Sequence, residues 1–494
     1  MENQTNQNSY SHILKYTGLL GSVQGLSILV GLIRNKLVAL ILGPAGLGLI
    51  SIFNSTVALM SNATNLGVQT SGVKNISEAY ETGDEEALRH AIHLVRLWSI
   101  VTAVLGVVVC IILSPLLNSF SFKWGNHVLH FVMLSPVVGM LSLVGGELAV
   151  LKGTRQLRKL SVISLLNVVA ALLTSVPILY IFGQKGIVPS IIVMTLSQLL
   201  LTLIYSFKKY PLELTFDKGF FGEGLGMVKL GMAFVAAAIF GSGAEFAIRS
   251  YLNTAGNEVT SGLYNAGYML AVTYGGMIFS AMETDFFPRL SAANKDTDSF
   301  CMIVNKQMEV SVMLIAPMVI GLSIVMPWLI PLLFSNAFLP VVSMAQIAII
   351  SLFFRALYLP MAYMNLAKGN SLWYLLLESF SAIILVALVE YGFRHDDLRG
   401  IGYAILIANI LDFIVTFAFC RLKFSFKPSA ELKRYIVLQL PLVALSYLLT
   451  VRPFSSLALL PSGRGWVGAS FALSCLLLMI SMWLSVKKLM RKKE

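Results

Sequence analysis

The stretch ILVGLIRNKLVALILGPAGLGL (Ile28–Leu49) is almost wholly aliphatic, glycine and alanine, yet Arg34 and Lys36 stand in its middle. A charge near the centre of a membrane helix costs about 2.5–3.5 kcal/mol even on the lenient insertion scale. Two questions follow: whether the chain lies in a bilayer, and what these cations face. The rest of the chain answers the first. Of its 494 residues 57% are hydrophobic and only 12% charged, where a soluble domain carries about 25% charged residues. Apolar windows such as IVTAVLGVVVCIILSPLL and SLLNVVAALLTSVPILYIF recur from end to end. Each is long enough to cross a hydrocarbon core of about 30 Å. The chain reads as an all-α, polytopic integral membrane protein.

Apolar runs bounded by Gly, Pro and charge give fourteen expected spans: 13–42, 46–69, 90–115, 127–151, 159–182, 186–207, 225–252, 258–283, 305–334, 340–366, 371–393, 400–420, 434–450 and 465–486. On that count the face shared with the N-terminus holds 24 Lys and Arg and the opposite face 6. The positive-inside rule then puts both termini in the cytoplasm. The net charge of +12 is thereby an orientation signal, and nucleic acid is not an expected partner. The N-terminal twenty residues lack a basic n-region and a small-residue cleavage site, so the first span is expected to stay as an uncleaved anchor. Four scattered cysteines and two His-x-x-His pairs, without a clear third ligand, suggest no disulfide framework, metal site or cofactor.

Six cations remain inside expected spans: Arg34, Lys36, Arg96, Lys229, Arg249 and Arg355. Arg96 and Lys229 lie near helix ends, where snorkelling suffices. Arg249, in GAEFAIRSYL, follows Arg34 by 215 residues, and the same offset carries Lys74 onto Arg289. Spans one and two thus resemble spans seven and eight. The intervening number of spans is even, so the copies are parallel repeats, as in transporters built from paired bundles with a site between the halves. The expected organisation is a first six-helix bundle over 1–207, a second over 208–424, and two further helices with a basic tail over 425–494.

GLIRNKLVALILGPAGLGLISIFN (Gly31–Asn54), GVQTSGVKNISEA (Gly67–Ala79) and SGLYNAGYMLAVTYGGMIFSAMETDFFPRLSAA (Ser261–Ala293) resemble polysaccharide flippases of the MOP superfamily, specifically Wzx-type O-antigen translocases. The resemblance extends through about the first twelve spans. It implies two six-helix bundles opening alternately to either side of the bacterial inner membrane. It also implies a cargo of oligosaccharide on undecaprenyl pyrophosphate, moved from the cytoplasmic to the periplasmic leaflet, with other polysaccharide-assembly membrane proteins as partners. Lipid II flippases and MATE drug exporters are close relatives in that superfamily.

Physics makes such a cargo compatible with buried cations. Pyrophosphate cannot enter hydrocarbon, because an isolated charge there costs tens of kcal/mol by Born arithmetic. One Arg–phosphate pair at about 5 Å and an effective dielectric near 20 returns roughly 3 kcal/mol, and guanidinium adds a bidentate fork. The candidate substrate-binding residues are Arg34, Lys36, Arg249 and Arg355, with Lys74 and Arg289 at a cytoplasmic entrance. Each has a plainer reading. Arg34 and Lys36, about 200° apart around a helix, are placed to snorkel from a tilted helix. Arg249 follows Glu245 by four residues and could be neutralised by it. Arg355, before Pro360, suits an interhelical carbonyl clamp equally well, and Lys74 and Arg289 suit simple anchoring. Among Glu147, Glu245, Glu378, Glu390 and Asp412, Glu245 is the candidate for coupling to Na⁺ or H⁺. A drug exporter would want carboxylates in the first span, which has none, so this reading and that of a lipid II flippase stand as alternatives. A polysaccharide polymerase would need a long outer loop with catalytic residues. No enzyme activity is expected, and no Walker loop is present.

Overall fold

The computed structural model describes residues 2–123, 125–212, 220–293, 296–451 and 464–491, and among these every regular element is helical. The chain divides into two compact units, Met1–Ser261 and Gly262–Glu494.

In the first unit, α1 (Glu2–Thr64) is one long element broken at Gly43, whose φ of 63° only glycine adopts without strain. Pro44 follows, and its missing N–H suits the first turn of the restarted helix. The break separates the spans expected at 13–42 and 46–69. The second of these ends at Thr64. The chain then bends through Leu66 and Gly67, both at positive φ, into a short amphipathic helix, α2 (Val68–Thr82), where the sequence suggested only a loop. Asp84 caps α3 (Glu85–Ser121), accepting from the Glu86 and Ala87 N–H groups at 2.9 and 3.1 Å. Next come α4 (Val128–Gly153), α5 (Leu157–Phe182), α6 (Ile187–Phe207) and α7 (Phe220–Tyr251).

Helix α7 packs on α1, α2 and α3. At one end its backbone meets the α1–α2 bend directly, because a Cβ on Gly231 would stand 2.6 Å from the Gly67 Cα. Below this contact Met227 joins Val68, Ile76, Val95, Trp98 and Val150 in a buried cluster. At the other end Ser250 and Ser121 exchange a hydroxyl hydrogen bond of 3.1 Å, and Asn253 Nδ2 donates to the Ser121 carbonyl at 2.8 Å.

The boundary between units falls within α8 (Glu258–Tyr268). The second unit continues through a π-turn, Met269–Tyr274, into α9 (Gly275–Ala292), then α10 (Thr297–Leu333), α11 (Val342–Ala348) and α12 (Ser351–Ala367). Helix α13 (Ser371–Phe424) is broken at Asp396 and Asp397, the latter at φ 48°, which divides the spans expected at 371–393 and 400–420. Helices α14 (Ala430–Val451) and α15 (Arg464–Arg491) form the C-terminal pair. A polar clamp holds that pair together: Ser481 Oγ donates to Gln439 Oε1 at 2.7 Å, and Tyr435 OH donates to the Leu484 carbonyl at 2.6 Å. Ser485 Oγ ties α15 to α10 through the Met313 carbonyl at 3.0 Å.

Seven helical stretches among the described residues are long and apolar enough to cross a membrane, and α11 with α12 makes one further span bent by 45°. Three of the seven, Gly25–Thr64, Leu157–Phe207 and Leu372–Phe424, each overlap two of the expected spans. The protein is a multi-pass helical membrane protein.

Candidate functional site

Arg34 lies nine residues before the Gly43 break, about 13 Å below it along a helix rising 1.5 Å per residue. Its Nε donates to Ser175 Oγ of α5 at 2.9 Å, and Ser175 is fully buried. The Ser175 hydroxyl in turn donates to the Ala171 carbonyl, so its lone pair is turned toward the guanidinium. Leu29, Ile33 and Leu40 cover the outward stripe of the same helix. The Arg34 side chain therefore runs sideways to α5 at that depth. Lys36 is half-buried two residues on.

Arg249 on α7 is 8% exposed. Its NH1 donates to Glu245 Oε2 at 2.9 Å and weakly to the Glu245 carbonyl at 3.3 Å. The pair expected from the i, i+4 spacing is thus formed, but unevenly. The Glu245 side chain is 48% exposed, and the buried Arg249 Nε has no hydrogen-bond partner among the described residues. A donor left unmade in a buried place is costly, which makes this nitrogen a place for an acceptor.

Arg355, half-buried on α12, sits in a charged cluster that the sequence did not announce. Its guanidinium lies over the Phe279 ring of α9, 5.6 Å from the centroid. The two halves of α13 bring a carboxylate each into its field: Glu378, hydrogen-bonded by Tyr374, and Asp412. Asp412 is buried, and its Oδ2 accepts from Ser381 Oγ at 2.7 Å. Tyr358 of α12 and Tyr268 of α8 complete the surroundings. Asp412 and Glu378 were visible as intramembrane carboxylates; the Ser381 hydroxyl on Asp412 was not, since it comes from the other half of α13.

The remaining cations are arranged differently. Lys74 and Arg289 are exposed at helix surfaces, Lys74 in a loose 3.7 Å pair with Glu78. Arg96 departs from the snorkelling expected of it. It is 4% exposed and holds Glu147 of α4 in a two-point contact, Nε to Oε1 at 2.9 Å and NH2 to Oε2 at 3.1 Å. Its other donors take the Pro211 and Tyr210 carbonyls, and the Phe207 ring stacks on it at 4.8 Å. Ser206 Oγ donates to Glu147 at 2.6 Å, so this ion pair is fully engaged. Nearness to a helix end says nothing of what lies across from it, and here a second helix supplied the partner. Arg96, Arg89, His93, Lys209 and Asp84 line a cleft of about 720 Å³ beside the pair.

Residues 37–343 match the family model described as polysaccharide biosynthesis protein. No curated protein sequence matches. Among solved structures, an inward-facing multidrug resistance MATE transporter of the MOP superfamily shares the fold with a TM-score of 0.69 at 16% identity, over 84% of this chain and 95% of that one. The lipid II flippase MurJ in an inward closed conformation gives 0.67 at 15% identity, over 96% and 99%. A MOP superfamily transporter from Pyrococcus furiosus, whose reversed pocket polarity suggests a different function, gives 0.59 at 18% identity, over 82% and 93%.

Proposed function

Because the chain belongs to the polysaccharide biosynthesis protein family and has the fold of MOP superfamily transporters, we propose that it is a flippase for an oligosaccharide linked through diphosphate to a polyprenol, undecaprenol being the expected lipid. The cargo passes from the cytoplasmic to the outer leaflet of the bacterial inner membrane, with both termini of the protein cytoplasmic. The observation that carries this reading is Arg249. Its guanidinium is buried on α7, a helix expected from the sequence to span the membrane, its acidic neighbour is half-exposed, and one of its donors is unpartnered among the described residues. Arg34, one repeat earlier and bonded to a neutral hydroxyl, supports the same role. A lipid tail can stay in the bilayer while such fixed cations take up the diphosphate charge.

The test is leaflet-resolved accumulation of lipid-linked oligosaccharide, with the glycan identified by mass spectrometry, in cells whose only copy carries a substitution. Arg34→Ala inserts normally and loses export on the order of 100-fold, the rate equivalent of one arginine–phosphate contact of about 3 kcal/mol. Arg34→Lys keeps partial function, because the point charge survives and the fork does not. Wild-type export by Arg34→Gln at normal protein level removes Arg34 from the site. Accumulation of lipid II in place of an oligosaccharide precursor would move the substrate to the peptidoglycan branch.

A further inference from the structure

The first unit holds a second candidate site, apart from Arg34 and Arg249. It is the cleft of about 720 Å³ between the α2–α3 turn, the first turns of α3 and the chain that follows α6. That volume lies within the range of about 300–1,000 Å³ usual for small-ligand sites. Two of its walls are fixed in place. Asp84 caps α3 through the Glu86 and Ala87 N–H groups. Arg96 holds the Tyr210 and Pro211 carbonyls at 2.9 and 2.8 Å, while Glu147 meets its charge. A cleft with such walls needs little ordering to take a ligand.

Its chemistry disfavours a strong anion. With Arg96 neutralised by Glu147, the carboxylates of Asp84 and Glu85 stand against the cations of Arg89 and Lys209. A diphosphate reaching the two cations meets the two carboxylates as well, and the like charges offset the gain. What the cleft does offer is hydrogen-bonding groups of both kinds beside ring faces. Glu85 and Arg89, one turn apart, face each other at a loose 3.8 Å and both are well exposed. Two neighbouring hydroxyls fit that pair, one donating to the carboxylate and the other accepting from the guanidinium. Tyr80, 39% exposed, and Tyr210 bring phenol rings to the same cleft, and Leu88 and Ile92 add apolar surface. A sugar ring has this complementary form: its C–H faces lie on aromatic or aliphatic surface, and its edge of hydroxyls donates and accepts. We propose that this cleft binds the sugars of the cargo, through their hydroxyls and ring faces and not through charge, on the side that charge bias assigns to the cytoplasm. This rests on the flippase reading for the identity of the ligand. It adds a glycan-selecting site, with Tyr80, Glu85 and Arg89 as its contacts, separate from the arginines assigned to the diphosphate.

The probe is the free oligosaccharide released by mild acid from the lipid-linked precursor that builds up in cells lacking the protein. The acid breaks the bond between the first sugar and phosphate, so the probe carries no diphosphate. Its binding to the full-length protein in nanodiscs is read by titration and by saturation-transfer NMR. Wild type binds the probe, and excess inorganic diphosphate does not displace it. Tyr80→Ala and Arg89→Ala, both at exposed side chains, each weaken binding about tenfold. If Tyr80→Ala lowers the unfolding midpoint, Glu85→Gln replaces it and weakens binding in the same way. Absence of binding by wild type, binding by these variants equal to wild type, or displacement by diphosphate each overturns the inference and leaves the flippase reading standing. If no lipid-linked oligosaccharide builds up in the cells, the flippase reading fails and the glycan site falls with it.

Discussion

Arg96 and Arg249 show how differently one residue type behaves inside one bundle. Arg96 has a carboxylate, two carbonyls and an aromatic face, and Glu147 has Ser206 besides. Breaking such a buried pair leaves a charge with nothing to face. Glu147→Ala is expected to destabilise the protein by about 3–5 kcal/mol, whereas replacing Arg96 and Glu147 together with Met costs far less; thermal unfolding in detergent compares the two. Arg249 is expected to act on cargo, so the double replacement Glu245→Gln with Arg249→Gln stays folded and inactive. A fully active double variant would reduce the pair to self-neutralisation. At this scale the sequence was legible wherever the partner lay on the same helix, as Glu245 does. It was silent where the partner came from another one: Ser175 for Arg34 and Glu147 for Arg96. Hydropathy measures what a side chain costs in lipid, and not which neighbour repays it.

Helix breaks were the easiest elements to read. Gly43–Pro44 combines a residue free to take positive φ with one that cannot donate, and α1 turns there. Helix α2 was harder, because Val68–Thr82 is polar enough to pass for a loop and its helical form depends on the apolar face it buries under α3 and α4. The approach of Gly231 to Gly67 was not legible at all, since nothing in either local sequence points to the other helix. Gly231→Val is expected to push α7 off the α1–α2 bend and cost about 1–3 kcal/mol, read as a lowered unfolding midpoint, while Gly241→Ala, with open space around it in the same helix, does not lower that midpoint, because alanine favours a helix over glycine. The start of α10 carries a pH signature. Hydrogen bonds from Ser299 and the Asp298 N–H hold the Asp296 carboxyl below its usual range. A depressed carboxylate adds stability above its unfolded pKa and loses it as pH falls through the folded value. The midpoint of wild type is therefore expected to drop below about pH 4 more steeply than that of Asp296→Asn.

For the whole molecule, hydropathy and turn residues located the helices well, and charge bias proposed their orientation. Reporters fused after Lys159 and Lys209 are expected in the cytoplasm and a reporter after Asp396 outside; an outside signal at Lys159 would overturn the span count. The loop between the last two spans, like Lys218 and Lys295, lies outside the described residues. The C-terminal pair opens with a short expected span, 434–450. Gln439 and Ser481 explain why it nonetheless forms a unit, for a polar contact between helices is hard to replace in lipid. The close fit of α7 to α1, α2 and α3 also has a consequence for how the protein is made. A chain leaves the ribosome from its N-terminus at about 5–20 residues per second. The first unit reaches to Ser261, so it is not whole when its sixth helix has been inserted. Until α7 arrives, the Gly67 bend and the buried cluster around Trp98 are uncovered. The nascent protein is thus most vulnerable to membrane proteases between the sixth and seventh helices, and slowing translation there, rather than later, is what would lower its yield.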